Sequence, residues 1–207
     1  MARAVAERLG IVNLNTGATY RAVALVALRR EIDLDDGAAL AAVGERVDLE
    51  AEGVSYEGDP IPEDALRAPE VAAAASRVSA HPRLREVLVQ RQRLAANEAS
   101  GGAVVEGRDI GTVVLPGADL KVFLSASPEE RARRRATQTG RELELERIRK
   151  AIDTRDRRDS EREASPLMPA PGAMVLDTTD LSLEEVVSRV VDLAHERRGA
   201  DGEPGDA

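Results

Sequence analysis

Four short apolar runs, IVNLN (11–15), AVVEG (103–107), LKVFLSA (120–126) and MVLDTT (174–179), are separated by stretches of helical composition. Strands spaced in this way cannot close as hairpins. They read as an α/β fold in which a parallel sheet carries helices on both faces. Ligands meet such sheets at the carboxyl ends of the strands, so function is expected in the loops after Asn15, Gly107, Ala126 and Thr179. At 207 residues the chain has the size of one domain, expected over 1–198.

The intervening stretches supply the helices. ARAVAERL (2–9) ends at Gly10, a C-cap glycine, and TGATYRAVALVALRREI (16–32) starts at Thr16, a candidate N-cap. DLDDGAALAAVGERV (33–47) reads as a cap and a short helix, and residues 70–98 as helical with a break near 79–81, where Pro82 opens the second half. Between them, 48–71 is punctuated by Gly53, Gly58, Pro60, Pro62 and Pro69, which predicts short strands and turns. GRDIGTVVLPGA reads as a loop, Ser127-Pro128-Glu129-Glu130 as the start of a long Arg/Glu helix pair (129–162), and 181–198 as a closing amphipathic helix. The tail 199–207 is too polar and glycine-rich to fold and is expected to be disordered.

Composition removes several classes of function. With no cysteine and only His81 and His195, thiolate chemistry and multi-histidine metal clusters are excluded, and no metal ligands are expected. A formal charge of −9 repels a phosphate backbone, and three aromatics leave no stacking platform, so nucleic acid is not an expected partner. No apolar run approaches the roughly 20 residues of a membrane span, and no signal-peptide core opens the chain; a cytoplasmic monomer is expected. All but two of the 29 basic residues are arginine, the side chain suited to gripping phosphates with a planar fork, although a GC-rich genome favours arginine in any case.

Three polar clusters carry the chemistry. Asn15-Thr16-Gly17-Ala18-Thr19-Tyr20-Arg21 lies at a strand end, where helix amides could meet an anion. Glu106-Gly107-Arg108-Asp109-Ile110-Gly111 follows a buried strand, and a buried Arg–Asp pair needs partners that either a pinned loop or a ligand could supply. Arg155, Asp159 and Arg162 share one helix face by their i, i+4, i+7 spacing, and Arg131 and Arg135 share another; both faces are equally compatible with solvated ion pairs.

The order of these clusters resembles the bacterial cytidylate kinase (CMP/dCMP kinase) family. The resemblance is carried by NTGATYRAVAL (15–25), APEVAAAASRVSAHPRLRE (68–86), VVEGRDIGTVVLPGADLKVFLSASPEERARRR (104–135), the RDRRDSERE and SPL segments near 155–167, and VLDTTDLSLEEVV (175–187). It implies a P-loop nucleoside-monophosphate kinase fold with a nucleotide-binding insertion at about 46–90 and a lid at about 131–162. It also implies phosphoryl transfer from ATP, with Mg²⁺, to CMP or dCMP in pyrimidine nucleotide metabolism. Arg21, Arg108 and Arg162 match arginines that hold the acceptor phosphate, and Ser76, Arg85 and Asp109 match residues that read cytosine. Arg155 and Asp159 match residues near the sugar hydroxyls, Thr16 and Tyr20 line the acceptor site, and Arg131 and Arg135 fall to ATP. Arg108, Arg155 and Arg162 are thus the candidate catalytic residues. Positioning and neutralisation of charge are what phosphoryl transfer asks of a protein.

Two departures from the family stand out. Its G-x-x-x-x-G-K-[ST] donor loop is absent from the sequence, residues 2–10 match the end of the helix that follows that loop, and neither Lys121 nor Lys150 is placed to substitute. The strand before the loop is central in the implied sheet. Without it, buried backbone groups on two neighbours stay unpaired at about 1–3 kcal/mol each, against a typical stability of about 5–15 kcal/mol. The expectation is that these residues alone fold poorly, and that Met1 is an internal codon with roughly 15–20 residues of strand and loop upstream. A non-catalytic pyrimidine-nucleotide-binding remnant is the alternative. The second departure is Asn15, where the family usually has aspartate.

Overall fold

A computed structural model describes residues 1–51, 53–161 and 166–201. Helix α1 (Ala2–Leu9) is closed by Gly10, which at φ +65° takes the left-handed conformation while Ile11 N–H reaches back to Ala6 O at 3.0 Å. Strand β1 (Val12–Asn15) then runs directly into α2 (Thr16–Arg29). The alanines of α2 let neighbours approach from several sides, and Ala22, Val23, Ala24 and Ala27 are fully buried. Next comes α3 (Gly37–Gly44), capped by Asp36, whose carboxylate accepts from Ala38 N and Ala39 N at 3.0 Å.

The predicted short strands follow as an antiparallel sheet of β2 (Val47–Glu50), β3 (Gly53–Tyr56) and β4 (Asp59–Pro60). They lead into α4 (Glu63–Arg67), α5 (Pro69–Val78) and α6 (Pro82–Glu98); Pro69 and Pro82 each open a helix, where a missing N–H costs nothing. Leu40, Val47, Val54, Leu66, Val71, Val78, Leu84 and Leu88 close around α2 to form the main core.

Strand β5 (Ala103–Glu106) is followed by β6 (Val122–Ser125), α7 (Pro128–Thr139), α8 (Leu145–Glu161), β7 (Met174–Asp177) and α9 (Leu183–Asp201). Ser127 caps α7 by accepting from Glu130 N at 3.2 Å. Ala132 and Ala136 of α7 pack on Ile148 and Ile152 of α8 as a small apolar seam separate from the main core. Among the described residues no helix is long and apolar enough to cross a membrane.

The structure differs from the sequence reading at five places, the first being the helix α4 (Glu63–Arg67) inside the stretch expected to hold short strands and turns. The parallel sheet forms as two pairs, β1 with β5 and β6 with β7, because among the described residues β5 and β6 each pair along one edge only. No residue of β5, β6 or β7 is consequently fully buried. The loop read into GRDIGTVVLPGA contains a π-helical turn, Ile110–Val114, closed by Val114 N to Asp109 O at 3.3 Å and Leu115 N to Ile110 O at 2.7 Å. Thr16 is the first helical residue rather than the cap, and Asn15 holds the cap position without a side-chain bond. Helix α9 runs three residues past 198, to Asp201, and 202–207 lie outside the described residues.

Candidate active site

Parallel register sets Asn15 opposite Glu106, so the α2 N-terminus and the Gly107–Asp109 segment emerge side by side. Their spacing is fixed by side chains. Thr16 Oγ1 donates to Glu106 O at 2.8 Å, Thr19 Oγ1 donates to Thr16 O at 2.7 Å, and Gln92 of α6 donates from Nε2 to Thr19 Oγ1 at 3.0 Å. Freed from capping, the Thr16 hydroxyl thus ties a helix to a strand. Gly107 is required by this closeness: a Cβ there would collide with Thr16 Oγ1 and lie 2.7 Å from Ile110 Cδ1.

One side of this junction holds a buried ion pair. Arg85 of α6 donates through Nη2 to Asp109 Oδ2 and through Nη1 to Ser79 O at 3.1 Å, and its guanidinium lies 5.6 Å from the centroid of the Tyr20 ring. Ser76 Oγ and Arg85 Nε are buried without hydrogen-bond partners among the described residues. Buried polar atoms left open in this way mark where a polar ligand edge would be satisfied.

On the other side cations gather. Arg21 Nη2 lies 3.4 Å from Asn15 Oδ1, so the asparagine meets this arginine with a neutral acceptor. Burial lowers the Arg21 pKa from its ordinary value; Glu106 opposes this, while Arg67 and Arg135 reinforce it. The pKa of Arg155, whose side chain is half exposed, is lowered by desolvation from the surrounding protein and then by repulsion from Arg108; Asp159 counters these, and Arg21 adds further repulsion. Arg108 and Arg21 are therefore close enough to destabilise the Arg155 charge, which an anion would relieve. Arg162 lies outside the described residues.

Helix α8 supplies the counter-charge. Arg108 Nη1 donates to Asp156 Oδ1 at 2.7 Å and lies 3.5 Å from Asp159 Oδ2, while Arg155 Nε stands 3.7 Å from the same oxygen. Arg131 of α7 also donates to Asp156, whereas Arg135 donates to Gln138 Oε1 at 3.0 Å. Arg131 and Arg135, paired on one face in the sequence reading, thus have different partners. Asp156 was not singled out by sequence; its signal was an acid within the arginine-rich segment, one position away from the 155/159 face.

Burial raises the Asp156 pKa, but hydrogen bonds from Arg108 and Arg131 outweigh it and hold the carboxyl below the ordinary aspartate range. The group therefore stabilises the fold fully above the unfolded value of about 3.9, and that contribution fades as pH falls further, through the folded value. Asp156→Asn is expected to cost about 1.5 kcal/mol at pH 7. The difference from the parent should shrink below about pH 4, as read by denaturant unfolding at each pH. A pH-independent difference would assign the loss to packing.

Among the described residues no three His, Cys, Asp or Glu side chains are grouped to hold a metal ion. Asp109, Asp156 and Asp159 face arginines instead. The described residues do not form a protein cage for Mg²⁺.

The family profile described as cytidylate kinase matches residues 1–196. The cytidylate kinase of Desulfitobacterium hafniense (strain Y51) is 43% identical over 205 residues, covering 95% of this chain and 87% of the relative. That of Geobacillus kaustophilus (strain HTA426) is 44% identical over 208 residues, covering 96% and 92%. A bifunctional pantoate ligase/cytidylate kinase of Synechococcus sp. (strain JA-3-3Ab) is 46% identical over 215 residues, covering 97% of this chain and 39% of the larger protein.

Proposed function

The chain belongs to the cytidylate kinase family, whose fold is the P-loop nucleoside-monophosphate kinase fold, and on that premise we propose that it transfers the γ-phosphoryl group of ATP to CMP or dCMP. An oxygen of the CMP phosphate bonds to the γ-phosphorus as the bond from that phosphorus to the β,γ-bridging oxygen breaks, giving ADP and CDP or dCDP. The observation that carries this reading is the junction of a buried, incompletely satisfied Arg85–Asp109 pair with a group of neighbouring arginines in which Arg108 and Arg21 repel Arg155. One end suits an amino-pyrimidine edge and the other a phosphate.

In this reading Ser76, Arg85 and Asp109 take the cytosine, Thr16 and Tyr20 line the pocket, and Arg155 with Asp159 serves the sugar. Arg21, Arg108 and Arg162 hold the acceptor phosphate, and Arg108, Arg155 and Arg162 neutralise charge on the transferring oxygens. Arg131 and Arg135 fall to ATP, and Mg²⁺ would arrive on its phosphates. A uracil edge presents the wrong donor and acceptor to Asp109 and Arg85, and a buried mismatch of this kind costs selectivity steeply. The insertion (about 46–90), the lid (about 131–162), a monomeric state and a cytoplasmic place remain parts of the same proposal. A binding protein without catalysis draws no support from the relatives named above.

The test is incubation with ATP, Mg²⁺ and CMP, dCMP, UMP or AMP in turn, with diphosphate formation read by chromatography and CMP binding by calorimetry. CDP and dCDP are expected in clear excess over UDP. CMP binding without transfer would reduce the reading to a nucleotide-binding protein, and absence of both would overturn it.

A further inference from the structure

Helix α6 touches both ends of the acceptor site described above. Arg85 and Gln92 are seven residues apart, two helical turns, and so lie on one face, with buried Leu88 between them. Arg85 reaches Asp109. Gln92, 1% exposed, reaches Thr19, whose hydroxyl bonds Thr16 O, while the Thr16 hydroxyl bonds Glu106 O. One face of α6 thereby sets the α2 N-terminus, which carries Arg21, relative to the Arg108–Asp109 segment. A leucine or methionine would fill the same volume without a polar group to desolvate, so packing alone does not account for an amide here.

We propose that Gln92 is a positioning residue that fixes the distance between the phosphate-holding and base-reading halves of the site. The proposal rests on the acceptor-site reading given above. A ligand gripped at both ends gains from correct spacing, whereas a fragment gripped at one end does not. Loss of the Gln92 hydrogen bond therefore weakens the whole nucleotide and leaves its pieces unaffected. A residue that merely supports the fold would weaken all three together or none.

The experiment uses the full chain and Gln92→Met, with CMP binding measured by calorimetry and inorganic phosphate and cytidine measured by competition against CMP. Thermal melting is followed alongside. The Kd for CMP is expected to rise about tenfold, while those for phosphate and cytidine stay within about twofold. Equal weakening of all three, or no change in any, overturns the proposal. If Gln92→Met does not fold, Thr19→Val removes the other end of the bond at constant volume and is read by the same criterion. Failure of the unmodified chain to bind CMP would overturn the acceptor-site reading itself, whereas normal CMP binding by both variants overturns only the role of Gln92.

Discussion

Arg108→Ala is expected to lower kcat/KM for CMP by about three orders of magnitude, the scale on which phosphoryl-transfer arginines act. The residue stands where the Glu106–Gly107 strand end meets α8, and Asp156 and Asp159 aim its guanidinium before any nucleotide arrives. The loss should fall mainly on kcat, since the charge it meets grows as the phosphoryl group moves. Arg108→Lys should recover only a minor part, because an ammonium lacks the planar fork that spans two oxygens. Steady-state kinetics with CMP varied at saturating ATP separates the two constants. A loss under about tenfold would confine Arg108 to holding α8.

Arg85→Ala is expected to cost about 3–5 kcal/mol of stability, because it strands the Asp109 carboxylate in a buried site. For a chain of this size that lowers the melting midpoint by roughly 10 °C. Preference for CMP over UMP should disappear in the same variant, since on the proposed reading the guanidinium would hold the Asp109 carboxylate toward the base. The paired replacement Arg85→Met with Asp109→Leu separates the two effects. Removing both charges takes away the unpaired group, so most of the stability returns while cytosine selectivity does not. Denaturant unfolding and the CMP-to-UMP ratio of kcat/KM provide the measurements. A single-variant loss below about 1 kcal/mol would mean that water reaches the pair.

Local chemistry made most elements legible. Gly10, Pro69, Pro82 and the Ser127–Pro128 pair act within one turn of themselves, and each marks a helix boundary in the structure. Of the weakly alternating stretch 48–71, the part up to Pro60 became the three-stranded antiparallel sheet, whereas Glu63–Arg67 formed a helix in place of the expected strands and turns. The other misreadings share a non-local cause. Thr16 looks like a cap until Glu106 O, ninety residues away, claims its hydroxyl. The π-helical turn was hidden by Gly111 and Pro116, which locally announce a loop, and Arg93 of α6 holds it by donating to Val113 O at 2.7 Å and Val114 O at 2.8 Å. Asp156 and Gln92 act through partners on other elements, so the spacing within their own helices carries no trace of those roles. The candidate nucleotide contacts were proposed from their order along the chain, whereas the residues that tie their elements together, such as Thr16 to Glu106 and Gln92 to Thr19, left no such signal.

The α7–α8 hairpin joins itself through a seam of four aliphatic side chains, while its tie to the Arg108 segment runs through the carboxylates of Asp156 and Asp159. Such a fastening is graded by the ionic atmosphere: added salt weakens attraction between partly exposed charges and leaves the apolar seam almost untouched. On the proposed reading, a phosphate dianion at Arg108 would draw on the same guanidinium as those carboxylates. The fastener and the cargo would then share one charge, so added salt and bound phosphate would act on the same contact.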